Sequence, residues 1–139
     1  MNNDRDYVAG FLIDEERNRV ALIEKTKPAW QAGKLNGIGG KVEQGESILD
    51  AMKREFREET GATVEDWRHF CTLRFREARI HFFVSFEPGH TLKTTTDEPV
   101  AWWPLDKQHT YDKAIRNLRW LIPMAMDKDQ LIAAVQDPS

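Results

Sequence analysis

Between Gly40 and Ala62 the chain reads GKVEQGESILDAMKREFREETGA, a stretch that admits few local structures. Ser47 is a strong helix N-cap, and Asp50 follows three residues later in the capping pattern. Gly61 is a residue that readily takes the left-handed conformation on which helices end. Between these limits Leu49, Met52 and Phe56 recur at spacings of three and four, with Ile48 beside them. One face of the predicted helix is therefore apolar and packs on a core. Glu55, Glu58 and Glu59 lie at i, i+3 and i+4, so three carboxylates share another face. Like charges at these spacings repel.

Two readings of that acidic face stand side by side. It is either a solvated surface balanced by Lys53, Arg54 and Arg57, or a cation site. Oxygen-only ligands favour Mg²⁺ or Mn²⁺. The preceding run Asn36–Lys41 (NGIGGK) favours the second reading. It is too glycine-rich for an ordinary strand interior and is expected to form tight turns or to approach a ligand closely. Such a segment offers backbone carbonyls to a metal and N–H groups to phosphate.

The rest of the chain alternates strands and helices. Tyr7–Ile13 and Val20–Ile23 read as antiparallel strands around the polar turn Glu15–Arg19. Residues 26–35, with Pro28 and Gly33, read as a loop. Phe70–Phe75 and Ile80–Phe86 flank the polar REAR segment as a hairpin. A polar loop, HTLKTTTDEP, leads to a short strand at Val100–Trp103. Tyr111–Met126 has helical spacing through Ile115, Leu118, Leu121 and Ile122, with Pro123 expected to kink or interrupt it. Asp129–Val135 reads as a short terminal helix. This order implies an α/β (or α+β) sandwich, a mixed sheet covered by helices.

At 139 residues the chain suits one domain, 1–139. Its net charge of −3 and pI of about 5.8 argue against a surface for polymeric nucleic acid, which needs clustered Lys and Arg. No apolar run approaches a membrane span, and the polar start MNNDRDY lacks a signal region, so a cytoplasmic location is expected. The single cysteine, Cys71, excludes an internal disulfide and reads as a small buried hydrophobe rather than a nucleophile. Composition leaves the oligomeric state open.

Gly40, Glu46, Arg54-Glu55, Glu58-Glu59 and Gly61 fall in one fixed register, and the stretch resembles the Nudix box of the Nudix hydrolases. Two soft positions depart from the pattern: Phe56 is larger and Ala62 smaller than usual, which implies adjusted packing rather than lost chemistry. The resemblance implies an α/β/α sandwich around a mixed sheet. It also implies hydrolysis of a nucleoside diphosphate linked to some moiety X. By that likeness Gly39 gives a backbone carbonyl to the metal. Glu55, Glu58 and Glu59 hold Mg²⁺ (Mn²⁺ possible) and position or deprotonate water. Glu46 and Arg54 pair to orient the loop against the helix, and Gly40 and Gly61 are structural.

The likeness extends beyond the box towards the MutT-like branch, whose members act on small nucleotide substrates. TTTDEPVAWWPLD is similar to a loop that supplies a further carboxylate, which makes Glu98, after Asp97, the candidate extra ligand or base; its alternative is an ordinary loop acid. The NGIGGK run places Asn36 near the base. Trp30 either lines the pocket or covers the core, and Lys41 either contacts phosphate or is solvated. An acidic pair that reads the purine in one branch member is absent from KAIRNLRW. Asn117 falls near the position of a base-reading Asn in bacterial MutT-type enzymes, or is a solvated helix residue. Marks of the ADP-ribose and dinucleoside polyphosphate branches are missing near Arg76–Arg79. The expected activity is a Mg²⁺-dependent nucleoside triphosphate diphosphatase releasing NMP and pyrophosphate. The alternatives are an ADP-ribose or nucleotide-sugar pyrophosphatase, or a non-catalytic nucleotide-binding module.

Overall fold

A computed structural model describes residues 5–129 and 132–136. The central strand is β1 (Asp6–Asp14), buried along both faces because its side chains alternate between two cores. It runs parallel to β6 (Ala78–Ser85) on one side. On the other it pairs antiparallel with β4 (Ile38–Lys41) and, at its end, with β2 (Arg19–Glu24). β2 carries β3 (Leu35–Asn36) and β7 (Val100–Pro104), both antiparallel. β5 (Arg68–Phe75) forms the expected hairpin with β6, turning at Arg76, whose φ is +56°. The mixed sheet predicted from element order is present.

Helix α1 (Ile48–Thr60) lies over one face of the sheet. Ser47 Oγ accepts the Asp50 N–H at 3.0 Å, and Gly61 ends the helix at φ +76°. Met52 and Phe56 are fully buried against Val8, Leu12 and Ile38; each such side chain stabilises by roughly 1.5–3 kcal/mol. Leu49 departs from expectation. It sits in the first turn and stays 38% exposed, while Ile48 packs on the core instead. On the opposite face α3 (Leu118–Met126) buries Leu118, Leu121 and Ile122 against Phe11, Phe70 and Phe82. Two helical layers thus enclose the sheet.

Four further expectations are corrected. Asn36–Lys41 forms β3 and β4 rather than tight turns, and none of Gly37, Gly39 and Gly40 has a positive φ. Here glycine serves close approach: a Cβ on Gly39 would stand 1.9 Å from the Val8 carbonyl oxygen of β1. The helical stretch 111–126 divides into α2 (Gln108–Lys113) and α3, separated at residues 114–117. The break falls there because Leu35 captures this segment, its carbonyl accepting the Ile115 N–H at 3.0 Å. Pro123 lies inside α3 and does not interrupt it. The terminal segment forms β8 (Ala133–Gln136), parallel to β5, rather than a helix. Pairing with a sheet edge overrides the helical preference of its alanines; Gln130 and Leu131 of the predicted helix lie outside the described residues.

Candidate active site

Arg54 organises the polar face of α1. Its Nε and Nη2 donate to the two oxygens of Glu46 at 2.8 and 3.0 Å, a bidentate fork. Nη2 also donates to the Lys41 carbonyl at 3.1 Å, tying helix to β4. Nη1 reaches Glu55 at 2.9 Å and Glu58 at 3.1 Å. Glu43 adds a further ion pair at 3.0 Å. The Arg54 fork holds the Glu46 carboxyl below its ordinary pKa. Burial pushes Glu55 up, partly offset by Arg54. Burial, then the charge of Glu55, pushes Glu59 up. Gly40 makes room for this cluster: a Cβ there would meet the Glu55 carboxylate at 2.5 Å.

The loop before β7 closes the other side. Lys93 N–H donates to the Thr60 carbonyl at 2.9 Å, and the Thr95 hydroxyl donates to the Glu58 carbonyl. Thr96 Oγ1 donates to Glu59 at 3.3 Å and accepts the Glu98 N–H at 3.2 Å. Glu98 itself is buried, 7% exposed. Its oxygens accept from Lys25 Nζ at 3.1 Å and from the Thr26 N–H and hydroxyl at 2.6 and 3.1 Å. Burial raises its pKa, but these donors outweigh burial and hold it below the ordinary value. Thr95 and Thr96 escaped the sequence reading, which saw only a polar loop; the TTT run before Asp97 was the available signal.

Over β1, β5 and β6 lies a cavity of about 600 Å³, a size common among small-molecule sites. Ala9, Leu73, Ile80 and Phe82 give it an apolar wall from the sheet. Three of the residues expected near a base, Trp30, Asn36 and Asn117, line it together. Trp30 is 62% exposed, so it does not cover the core. Asn36 is engaged, donating to Gln31 Oε1 at 3.0 Å and accepting the Gly37 N–H at 2.7 Å. Asn117 is different: it precedes α3 without capping it, and its Oδ1 is buried with no partner. A buried acceptor without a donor is costly unless a ligand supplies one. Lys41 is exposed and lines neither side of the cavity.

The donor set around α1 is all oxygen, which suits a small hard divalent cation. Among the described residues, though, no three acidic, His or Cys side chains already converge as a cage. Arg54 stands among Glu46, Glu55 and Glu58. Glu55 and Glu58 are thus both engaged by Arg54, whereas Glu59 makes no ion pair among the described residues.

Comparison with known proteins agrees with this architecture. The NUDIX domain family model matches residues 4–124. An oxidized purine nucleoside triphosphate hydrolase of Mus musculus is 38% identical over 114 residues, 77% of this chain and 70% of the relative. The 8-oxo-dGTP diphosphatase of Escherichia coli (strain K12) is 32% identical over 79 residues, 57% of this chain and 61% of that protein. The solved MutT protein of Bacillus halodurans superposes with a TM-score of 0.73 at 25% identity, over 94% of this chain and 88% of that one. With the box register, the sandwich and these likenesses in agreement, the chain belongs to the Nudix hydrolase family, whose members use divalent metal ions.

Proposed function

We propose that this chain hydrolyses nucleoside triphosphates, oxidised purine forms among them, to the monophosphate and pyrophosphate with Mg²⁺ or Mn²⁺. One observation carries the reading: the acidic cluster and the cavity lie on opposite faces of β1, which β4 flanks as an edge strand. Gly40 of β4 abuts Glu55, while Ala9, paired with Gly39, lines the cavity. A nucleotide with its base in the cavity would lead its phosphates over that edge to the carboxylates. The mouse and bacterial relatives are named for oxidised purine triphosphates, which supports the substrate class.

A bound divalent cation supplies charge neutralisation on the diphosphate and a lower pKa for water. Glu55, Glu58 and Glu59, with the Gly39 carbonyl, are the residues we assign to hold it. The same carboxylates orient water and receive its proton; they titrate as a coupled group, so the proton belongs to the cluster. Arg54 and Glu46 fix the helix against β4. Glu98, kept ionised, is a further ligand or base once released from Lys25. Asn36 holds the cavity wall through Gln31, Trp30 packs beside the base, and Asn117 offers its free oxygen to it. Lys41 is left to contact phosphate from the exposed edge.

The test is a panel of canonical and oxidised dNTPs, NTPs, ADP-ribose and nucleotide sugars with Mg²⁺ or Mn²⁺. We expect the highest kcat/KM for a triphosphate, with monophosphate and pyrophosphate as products. Efficient cleavage of ADP-ribose or a nucleotide sugar with inert triphosphates would overturn the assignment.

A further inference from the structure

The loop ahead of β7 carries three consecutive threonines, and each hydroxyl has a different task. Thr94 Oγ1 accepts the Val100 N–H at 3.0 Å, which closes the loop on the first residue of β7. The Thr95 hydroxyl donates to the Glu58 carbonyl, which holds the loop to the backbone of α1. With the Lys93 N–H on the Thr60 carbonyl, this makes two straps to the helix main chain. Of the three, only Thr96 reaches a carboxylate of α1: its Oγ1 donates to Glu59 Oε2 at 3.3 Å. The same oxygen accepts the Glu98 N–H at 3.2 Å.

A hydroxyl has one hydrogen to give and two lone pairs to offer. The Glu98 N–H takes a lone pair of Thr96, and the hydrogen is left for Glu59. β-Branching keeps a threonine to few χ1 rotamers, so the direction of that hydrogen bond is well defined. Among the described residues Thr96 is the one side-chain donor to the Glu59 carboxylate, whereas Glu55 and Glu58 share Arg54. A glutamate side chain is long, and ordering it costs rotamer entropy. The bond to Oε2 removes part of that cost before any ligand arrives. It also leaves Oε1 without a protein partner among the described residues.

We propose that Thr96 is a positioning residue of the cation site: its hydroxyl, itself fixed by the Glu98 N–H, holds one oxygen of Glu59 and presents the other to the divalent cation. This rests on the metal-dependent reading of the site given above. Thr95, one residue earlier on the same loop, serves only the docking of the loop on α1. Hydrogen-bond partners of metal-ligating side chains are typically worth roughly ten- to hundred-fold in metal affinity. Thr96 is exposed and its bond to Glu59 is long, so the effect expected is about ten-fold, the low end of that range.

The experiment reads the cation directly and needs no turnover. Mn²⁺ is titrated into the nucleotide-free protein, with free Mn²⁺ counted by EPR, for the parent chain, Thr96→Val, Thr96→Ser and Thr95→Val. The Kd for Mn²⁺ should rise about ten-fold in Thr96→Val. Thr96→Ser, which keeps the hydroxyl, should recover most of the affinity, and Thr95→Val should stay near the parent. In a Glu59→Ala background Thr96→Val should add little further loss, because its target is gone. A circular-dichroism melt in chelator accompanies each variant; if Thr96→Val fails to fold, Thr96→Ala, which leaves room for water at the Glu98 N–H, makes the same comparison. Equal losses in Thr95→Val and Thr96→Val would make the loop merely structural and overturn the proposal. So would an affinity untouched by Thr96→Val, or the full loss repeated without Glu59. Thr96-dependent Mn²⁺ binding without triphosphate turnover would sustain this proposal while removing the proposed reaction. Mg²⁺-dependent triphosphate turnover with Mn²⁺ affinity indifferent to Thr96 would do the reverse.

Discussion

At the scale of single residues, the site is built on what is missing as much as on what is present. Gly40 leaves the volume that the Glu55 carboxylate occupies, since a Cβ would lie 2.5 Å from it. Gly40→Ala should therefore displace Glu55 and lower kcat/KM by about ten-fold or more while the chain still folds, because the obstacle is a side-chain end. Steady-state kinetics beside a thermal melt checks this; full activity would contradict it. Glu59 carries a different tension. Its pKa is raised by burial and by Glu55, so its charge is disfavoured in the metal-free fold. Glu59→Gln should raise the metal-free Tm by about 1–2 °C, from like-charge relief of a few tenths of a kcal/mol, while it removes turnover. Calorimetry in chelator decides the point, and a lower Tm would count against it. The three glutamates were legible because helical spacing forces them onto one face, whereas the Glu46–Arg54 pair was legible only through the likeness to the Nudix box, since Glu46 lies before the helix. Thr95 and Thr96 were not, since only the fold of a loop far along the chain brings them to Glu58 and Glu59.

At the scale of elements, α1 and its joint to β4 decide whether the site is formed. The Arg54 fork spans Glu46, Glu55 and the Lys41 carbonyl. Arg54→Lys loses the fork and should cost about 1–2 kcal/mol at pH 7. The pH dependence has a defined sign. Arg54 lowers the folded pKa of Glu46 below the ordinary 4.5. This stabilisation is fully present above that value and is lost as pH falls through the lower folded pKa. The gap between parent and variant should thus be widest at pH 7 and shrink below about pH 4, as read by urea unfolding at each pH. A gap independent of pH would contradict the pairing. The caps of α1 were readable at Ser47 and Gly61 because capping is local chemistry. β4 was not, because Gly39 answers to the backbone of β1 across the sheet and Gly40 to the Glu55 side chain, and β8 was not, because its alanines take their conformation from β5.

At the scale of the whole molecule, β1 divides two cores and so separates the carboxylates proposed for the chemistry from the cavity proposed for the base. The α1 side carries the carboxylates and the α3 side the cavity. The two-layer cover was implied by element order, but the position of the cavity required the break between α2 and α3. Cys71 reports on this core. It is fully buried, and burial pushes its thiol up to about 11. Labelling by an aromatic disulfide at pH 8 should follow unfolding, with native protein essentially unreactive; rapid stoichiometric labelling of the native chain would contradict the core assignment. The central claim, that the α1 carboxylates cut a nucleoside triphosphate between its α and β phosphates, is tested most directly by ³¹P NMR of the products. With Mg²⁺ and the preferred triphosphate, the parent chain should give monophosphate and pyrophosphate, and Glu58→Gln should give neither. A diphosphate with orthophosphate, or undiminished pyrophosphate release by Glu58→Gln, would contradict it.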